Sequence, residues 1–405
     1  MSSTATAATT VKQTATVMLV GVSLAHLLND AMQSVVPAVF PLFQQSMKLS
    51  FAQIGWVAFT LNITASVLQP LIGAYTDRKP MPILLPLGMV FTLLGMAGLA
   101  FASSLAMLIF SAALIGVGSS VLHPESSRVA HLSAGKGRGL AQSIFQVGGN
   151  TGQALAPLLV AFVITPQGQL GFLWFTLLAI AGIVIQSYIG RWYGRQVRLE
   201  SRPQRRAASS DDTLSKRFVA FVIGVLLVLL FSKFVYLASM TGYYAFYFME
   251  RYQLPLEKAQ LSLFALQFAG MLGTLLGGPL ADRFGRKKII WFSILGTAPF
   301  SIWLPYAGPV GSMLLCLAIG IILMSGFSVI IVYAQEMLPG KVGTIAGLFF
   351  GLSFGMAGLG SVLLGWLIDQ TTVAYVIHIC AYLPLLGLFA FLLPKDAKLM
   401  RQSGV

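Results

Sequence analysis

Apolar residues run in twelve stretches along this chain, separated by short polar segments. They fall near 17–43, 51–76, 81–102, 105–127, 139–164 and 171–193, and then near 218–249, 259–281, 288–307, 311–335, 342–368 and 373–394. Stretches of about 20 apolar residues suffice for a helix to cross a hydrocarbon layer about 30 Å thick. Inside lipid every backbone N–H and C=O must be satisfied by the spanning structure itself, and a helix does this within one segment. The pattern predicts an all-α integral membrane protein whose twelve transmembrane helices form two pseudo-symmetric six-helix bundles.

The two-bundle division comes from an internal repeat. Gly278-Pro279-Leu280-Ala281-Asp282-Arg283-Phe284-Gly285-Arg286-Lys287 lies between two apolar runs, and a decayed copy, Gly73-Ala74-Tyr75-Thr76-Asp77-Arg78, lies 205 residues earlier (278 − 73). The segments before the two copies align at the same offset, pairing Phe59 with Phe264, Leu61 with Leu266 and Asn62 with Gln267. Duplicated halves in an apolar chain point to a transporter whose site lies between them. The expected organisation is a tail over 1–16, a six-helix unit over 17–193, a basic linker over 194–217, a second unit over 218–394 and a tail over 395–405. The first sixteen residues, rich in Ser, Thr and Ala, read as a disordered tail without a signal-peptide pattern.

Composition removes the soluble alternatives. Apolar residues make up 57% of the chain and charged residues 9%, far below the usual quarter. The net charge of +14 suggests nucleic acid at first sight, but the cations are scattered over short inter-helix segments. Only Lys48, Arg251, Lys258 and the intramembrane Lys233 fall off one side of the predicted bundle. Such asymmetry places the basic side, with both termini, in the cytoplasm. Cys316 and Cys380 sit in apolar runs without metal-ligand spacing and are expected as reduced thiols; no metal site is expected. No G-x-x-x-x-G-K-[ST] loop occurs, which disfavours ATP-driven pumping. An enzyme is not expected.

The candidate chemistry lies in polar residues at membrane depth. His26, Asn29, Asp30 and Gln33 follow i, i+3, i+4, i+7 and so share one helix face. An intramembrane carboxylate costs roughly 2.5–3.5 kcal/mol on insertion scales, so Asp30 is a candidate proton carrier. In the fourth helix His123 and Glu125 flank Pro124, near Arg128, and are further proton-coupling candidates. The fifth helix carries a stripe of Gln142, Gln146, Asn150 and Gln153 interleaved with Gly148, Gly149 and Gly152. The seventh carries Lys233, with Tyr236 and Tyr244 on its face; at the 205-residue offset Lys233 falls beside Asn29 and Asp30. A buried Asp30–Lys233 pair that separates on protonation is the expected coupling device. Candidate substrate contacts are His26, Asn29, Gln33, Gln142, Gln146, Asn150, Lys233, Tyr236 and Tyr244. Each set has a structural alternative as hydrogen-bonding glue between helices.

The full loop copy resembles the signature G-x-L-A-D-R-x-G-R-K of the major facilitator superfamily, which implies that Asp77, Arg78, Gly278, Asp282, Arg283, Gly285 and Arg286 bias the conformation at the cytoplasmic face. Further stretches are similar to a bacterial branch of that superfamily, the fosmidomycin resistance proteins. They are His26-Leu27-Leu28-Asn29-Asp30, His123-Pro124-Glu125-Ser126-Ser127-Arg128, Gly139 through Asn150, Phe231-Ser232-Lys233 and Tyr333-Ala334-Gln335-Glu336. This resemblance implies a bacterial inner-membrane carrier that exports phosphonate antibiotics on the proton gradient; the many aromatic neighbours also fit export of other drugs, and a functional monomer without a cofactor is expected. An anionic head group would need a cation and several donors. Two other readings fit the sequence: an importer of a small organic or phosphorylated anion, and a membrane sensor that kept a transporter fold.

Overall fold

The computed structural model describes residues 2–133, 138–200, 216–337 and 342–394, all in helices and short connections. Eleven runs among them are long and apolar enough to cross a membrane. One of these, Ile144–Arg198, has 55 residues, about 80 Å of helix at 1.5 Å per residue, which is too long for a single crossing. It breaks midway, at Gly168, whose φ of +64 suits a residue without Cβ. Twelve crossings result.

We label them α1 (Ser2–Ala38), α2 (Phe51–Arg78), α3 (Leu84–Phe101), α4 (Leu105–Ser133), α5 (Arg138–Leu159), α6 (Leu173–Glu200), α7 (Lys216–Tyr252), α8 (Leu256–Phe284), α9 (Arg286–Leu295), α10 (Pro309–Ser325), α11 (Val342–Gln370) and α12 (Val373–Cys380). Short helical pieces extend several of them: Phe327–Met337 continues α10, and Leu383–Leu392 continues α12. Two boundaries differ from the sequence reading. The chain is helical from Ser2, where a disordered tail is expected, because neither Gly nor Pro interrupts it before Gly21. Helix α6 likewise runs through the first residues of the expected linker, to Glu200. Residues 201–215 and 395–405, where the rest of the linker and the second tail fall, lie outside the described residues.

Packing repeats with the sequence. Helix α1 packs on α5, α2 on α4 and α3 on α6. Six helices later, α7 packs on α11, α8 on α10 and α9 on the extension of α12. The two large contacts between halves, α2 with α11 and α5 with α8, are exchanged by the same operation. Glycines allow the close approaches. A Cβ at Gly55 would stand 2.6 Å from the Ser361 carbonyl oxygen, and one at Gly116 would stand 2.6 Å from that of Leu61. Small residues at such crossings let backbones come within van der Waals contact where lipid gives no hydrophobic drive between helices.

Candidate functional site

A cavity of ≈ 160 Å³ lies between the halves, lined from α1, α2, α5, α7, α8, α10 and α11. Its polar lining comes largely from the first half, with Gln33, Ser34, Asn62, Asn150 and Gln153. The second half contributes mainly apolar groups, among them Phe234, Leu237, Leu263, Met271 and Met324, with Thr241, Gln267 and Ser361 as polar members.

Beside this cavity α1, α4 and α5 bring three titratable groups together. His26 Nε2 stands 3.3 Å from Asp30 Oδ2, and His123 Nε2 stands 3.8 Å from Asp30 Oδ1. The Asp30 carboxylate also accepts from Asn29 Nδ2 at 3.1 Å and from Gln153 Nε2 at 2.9 Å. His26, Asn29 and Asp30 are all at most 3% exposed. The α1 face predicted from the i, i+3, i+4, i+7 spacing is therefore real, and Gln33 continues it by accepting from Ser119 Oγ at 2.6 Å.

The hydrogen-bond network assigns the imidazole hydrogens. His26 Nδ1 lies 2.8 Å from the Phe145 carbonyl oxygen, which can only accept, so Nδ1 carries hydrogen. Nε2 then faces a carboxylate oxygen. That contact is attractive only when a further proton sits on the ring or on the carboxyl. His123 is built in the same way, with Nδ1 3.0 Å from the Ser119 carbonyl oxygen and Nε2 toward Asp30. Both rings thus aim the same nitrogen at one carboxylate.

Space for this arrangement depends on a residue with no donor or acceptor side chain. A Cβ on Gly149 would lie 2.4 Å from the His26 ring, while Gly148 and Gly152 would collide with the carbonyls of Ser23 and Leu27. The three glycines of α5 let it close on α1, where the His26 ring stacks on Phe145 at 4.2 Å. The ligand atoms of His26, Asp30 and His123 lie within 4.8 Å of one another. Ligands held by one zinc ion stand about 3.3–3.6 Å apart, and the His123–Asp30 separation of 3.8 Å exceeds that.

The other predicted residues divide. Asn150 lines the cavity, and its amide nitrogen is buried without a hydrogen-bond partner. Gln146 is partly buried on α5 and is absent from the cavity wall, while the side chain of Gln142 lies outside the described residues. Glu125 belongs to a separate network. It pairs with Arg128 at 3.6 Å, and Arg128 donates to the Thr76 carbonyl at 2.6 Å and to Tyr193 Oη at 3.1 Å. This ties the end of α2 to α4 and α6.

The expected Asp30–Lys233 pair is not formed. Lys233 is fully buried, donates to the Leu323 carbonyl oxygen and lies 6.0 Å from the Phe327 ring centre. Equivalent positions in two repeats do not place side chains on facing surfaces, and Lys233 points at α10 within its own half. Tyr236 and Tyr244 also leave the cavity wall; both belong to the main buried core. Cys316 and Cys380 are buried, free thiols.

At the basic end, Gly285 joins α8 to α9 with φ +94, a conformation that favours glycine. Asp282 and Arg283 are exposed, and the Arg283 guanidinium lies 5.3 Å from the Phe284 ring centre. Gly278 is partly exposed with open space around it, and Arg286 is partly buried. Lys287 donates to the carbonyls of Phe391 and Leu393, fastening this turn to the last helical segment. The side chains of Asp77 and Arg78 lie outside the described residues.

The opposite end carries a contact that the sequence reading missed. Asp369, at the end of α11, accepts from the backbone N–H groups of Phe51 and Ala52, each at 2.8 Å. These are free N–H groups of the first turn of α2, where a carboxylate is favoured by geometry and by the helix dipole. Nearby, Gln260 on α8 donates to the Ala38 carbonyl at 2.8 Å. All three bonds cross between the halves.

Comparison with known proteins agrees with the packing. The model of the Major Facilitator Superfamily matches residues 22–359. The chain belongs to this superfamily. It is 48% identical over 392 residues to the fosmidomycin resistance protein of Escherichia coli K12, covering 97% of this chain and 96% of that one. It is 44% identical over 383 residues to the uncharacterized MFS-type transporter YfnC of Bacillus subtilis, covering 94% of each. Among solved structures, a bacterial homolog of the human lysosomal transporter Spinster superposes with a TM-score of 0.73 at 16% identity. That alignment covers 92% of this chain and 95% of the other, and it shows the shared fold. The protein is a multi-pass membrane transporter of this superfamily and not an enzyme.

Proposed function

We propose that this transporter exports fosmidomycin-like phosphonates across the bacterial inner membrane by alternating access, driven by protons. The fosmidomycin resistance relative supports the substrate class. One observation carries the coupling: Gln153 both lines the cavity and donates to Asp30. When Asp30 takes a proton, its carboxyl becomes a poorer acceptor and gains a donor of its own. The Gln153 amide is then freed toward the cavity, so the state of the carboxylate reaches the substrate through one side chain. In the other state Asp30 gives this proton up to water on the opposite side, by way of the Nε2 atoms of His26 and His123 that face it.

The phosphonate is assigned to the donors of the cavity wall, with the unpartnered Asn150 amide first. Lys233, which stands off the cavity wall in this conformation, supplies the cation by turning from the Leu323 carbonyl toward the cavity. In this conformation its ammonium rests on a neutral carbonyl, and an anion entering a water-poor site competes well for it because Coulomb attraction grows as the dielectric falls. Asp369 on α2 and Gln260 on Ala38 close the outer end, and the basic end faces the cytoplasm.

Reconstitution tests the reading. Purified protein in liposomes with an imposed pH gradient should drive fosmidomycin uphill, with flux collapsing when a protonophore removes the gradient. Flux that ignores the gradient would overturn proton coupling. Flux of an organic anion in the importing direction, with none of fosmidomycin, would overturn the export reading.

A further inference from the structure

Helix α6 carries a second pattern that transport chemistry does not use. Ile180, Val184 and Tyr188 are 48%, 65% and 59% exposed, so in a membrane protein they face lipid. The same face continues as Arg191, Arg195 and Arg198, all exposed. Steps of three or four residues keep all six within about 80° of the helix circumference at 100° per residue. An apolar stripe thus passes into a basic one where α6 leaves the hydrocarbon.

The basic part borders a groove of ≈ 550 Å³. Its walls are Pro80 and Pro82, from the segment between α2 and α3, and Gly190, Gly194 and the three arginines of α6. The glycines shape it. A Cβ on Gly190 would lie 2.9 Å from the Pro82 carbonyl oxygen, so the missing side chain lets the helix lie against the loop. Among the described residues Arg191 and Arg195 have no carboxylate partner. Lys79 adds another exposed cation beside Pro80.

We infer that this groove binds an anionic phospholipid, with its phosphate on Arg191 and Arg195 and its acyl chains along Tyr188, Val184 and Ile180. The guanidinium fork matches phosphate oxygens in two-bond geometry. A general inside-positive signal requires only that cations lie on one side. It does not require them on the face that continues the lipid-exposed stripe, over a groove opened by two glycines.

The test uses the full chain purified in detergent and titrated with phosphatidylglycerol, with binding read by native mass spectrometry. Phosphatidylcholine and glycerol 3-phosphate serve as the uncharged-net and headgroup-alone arms. Phosphatidylglycerol should bind, and the other two should not compete with it. Each arginine near an anionic lipid is worth roughly fivefold, so Arg191→Ala with Arg195→Ala should weaken binding about 25-fold. A control pair, Arg217→Ala with Lys288→Ala, removes as much charge from the same end outside the groove and should leave binding unchanged. Three results would overturn the site: no preference over phosphatidylcholine, equal displacement by glycerol 3-phosphate, or equal losses in the two variant pairs. A melting temperature matched to wild type confirms that the double variant is folded; if it is not, Gly194→Leu, which fills the groove and keeps the arginines, should give the same loss.

Discussion

The two halves share a packing scheme but differ in chemistry at equivalent places. In the first half, Asp30 gathers two histidines, Asn29 and Gln153 around one carboxylate. At the 205-residue offset the second half has Phe231 for His26, Val235 for Asp30 and Ala238 for Gln33. Its only buried cation among the described residues, Lys233, rests on a backbone carbonyl beside a phenyl ring. Duplication preserved the helix contacts, and the titratable cluster stands on one side only. The second half faces it with an apolar wall, and Phe354 reaches across to lie 5.8 Å from the His123 ring. In the proposed mechanism the first half holds the protons and the second supplies the surface against which the site opens and closes.

The largest effect should come from removing the acidic group at the centre of the difference. Asp30→Asn keeps the shape and loses the charge. Uphill export should fall to the level of protein-free liposomes, while substrate-for-substrate exchange continues. Uphill export at the wild-type rate would show that the protonation chemistry lies elsewhere, with Glu125 the next carboxylate to examine.

Gly149→Ala attacks the same cluster without touching a polar atom. The new methyl would displace the His26 ring, and overpacking of this kind costs about 1–3 kcal/mol. Thermal unfolding should move down, and gradient-driven export should fall more than exchange. An unchanged melting temperature with normal export would mean that the ring and α5 separate freely, and that the cluster is less constrained than its contacts indicate.

Much of this arrangement was legible in the sequence, for physical reasons that differ by element. Twelve crossings follow from hydropathy because a membrane filters helices by length. The His26–Gln33 face follows from helical spacing within one segment. The distant partners of Asp30 do not: Gln153 lies 123 residues away and comes in only with the packing of α1 on α5, and His123 only with the packing of α1 on α4. Lys233 is placed beside Asp30 by the repeat offset, but an offset leaves the direction of a side chain open. Tyr236 and Tyr244 failed as cavity residues for the same reason: an aromatic stripe on a helix can face its own bundle. Asp369 had a local signal, a carboxylate beside the end of an apolar run, but such residues are common at membrane surfaces. Its partner, the first turn of α2, lies more than three hundred residues earlier.

The corner held by Asp369 offers a gentler perturbation. Its repeat counterpart is Ile164, so only one of the two symmetry-related corners carries the carboxylate. Asp369→Asn replaces a charged acceptor at a helix N-terminus by a neutral one, worth about 1 kcal/mol, or roughly a fivefold population shift. A cysteine placed at the cavity residue Ala38 should then react several-fold faster with a membrane-impermeant maleimide added outside. Unchanged labelling would show that the contact does not hold the corner closed.

Smallest of all should be the effect of Asp282→Asn. The side chain is exposed and makes no bond among the described residues in this conformation. Transport should slow modestly, with fosmidomycin affinity unaltered in equilibrium binding. A parallel loss of affinity would place Asp282 in the binding site and contradict its reading as a conformational residue.

In the proposed mechanism protons exchange on the cluster of the first half as substrate moves. Proton release or uptake on adding fosmidomycin to proteoliposomes, followed with an entrapped pH dye, measures this directly. Wild-type protein should move protons opposite to the drug, and Asp30→Asn should move drug by exchange with no proton signal. Proton movement that persists in Asp30→Asn, or drug transport by the wild type with no proton signal, would rule out Asp30 as the proton carrier.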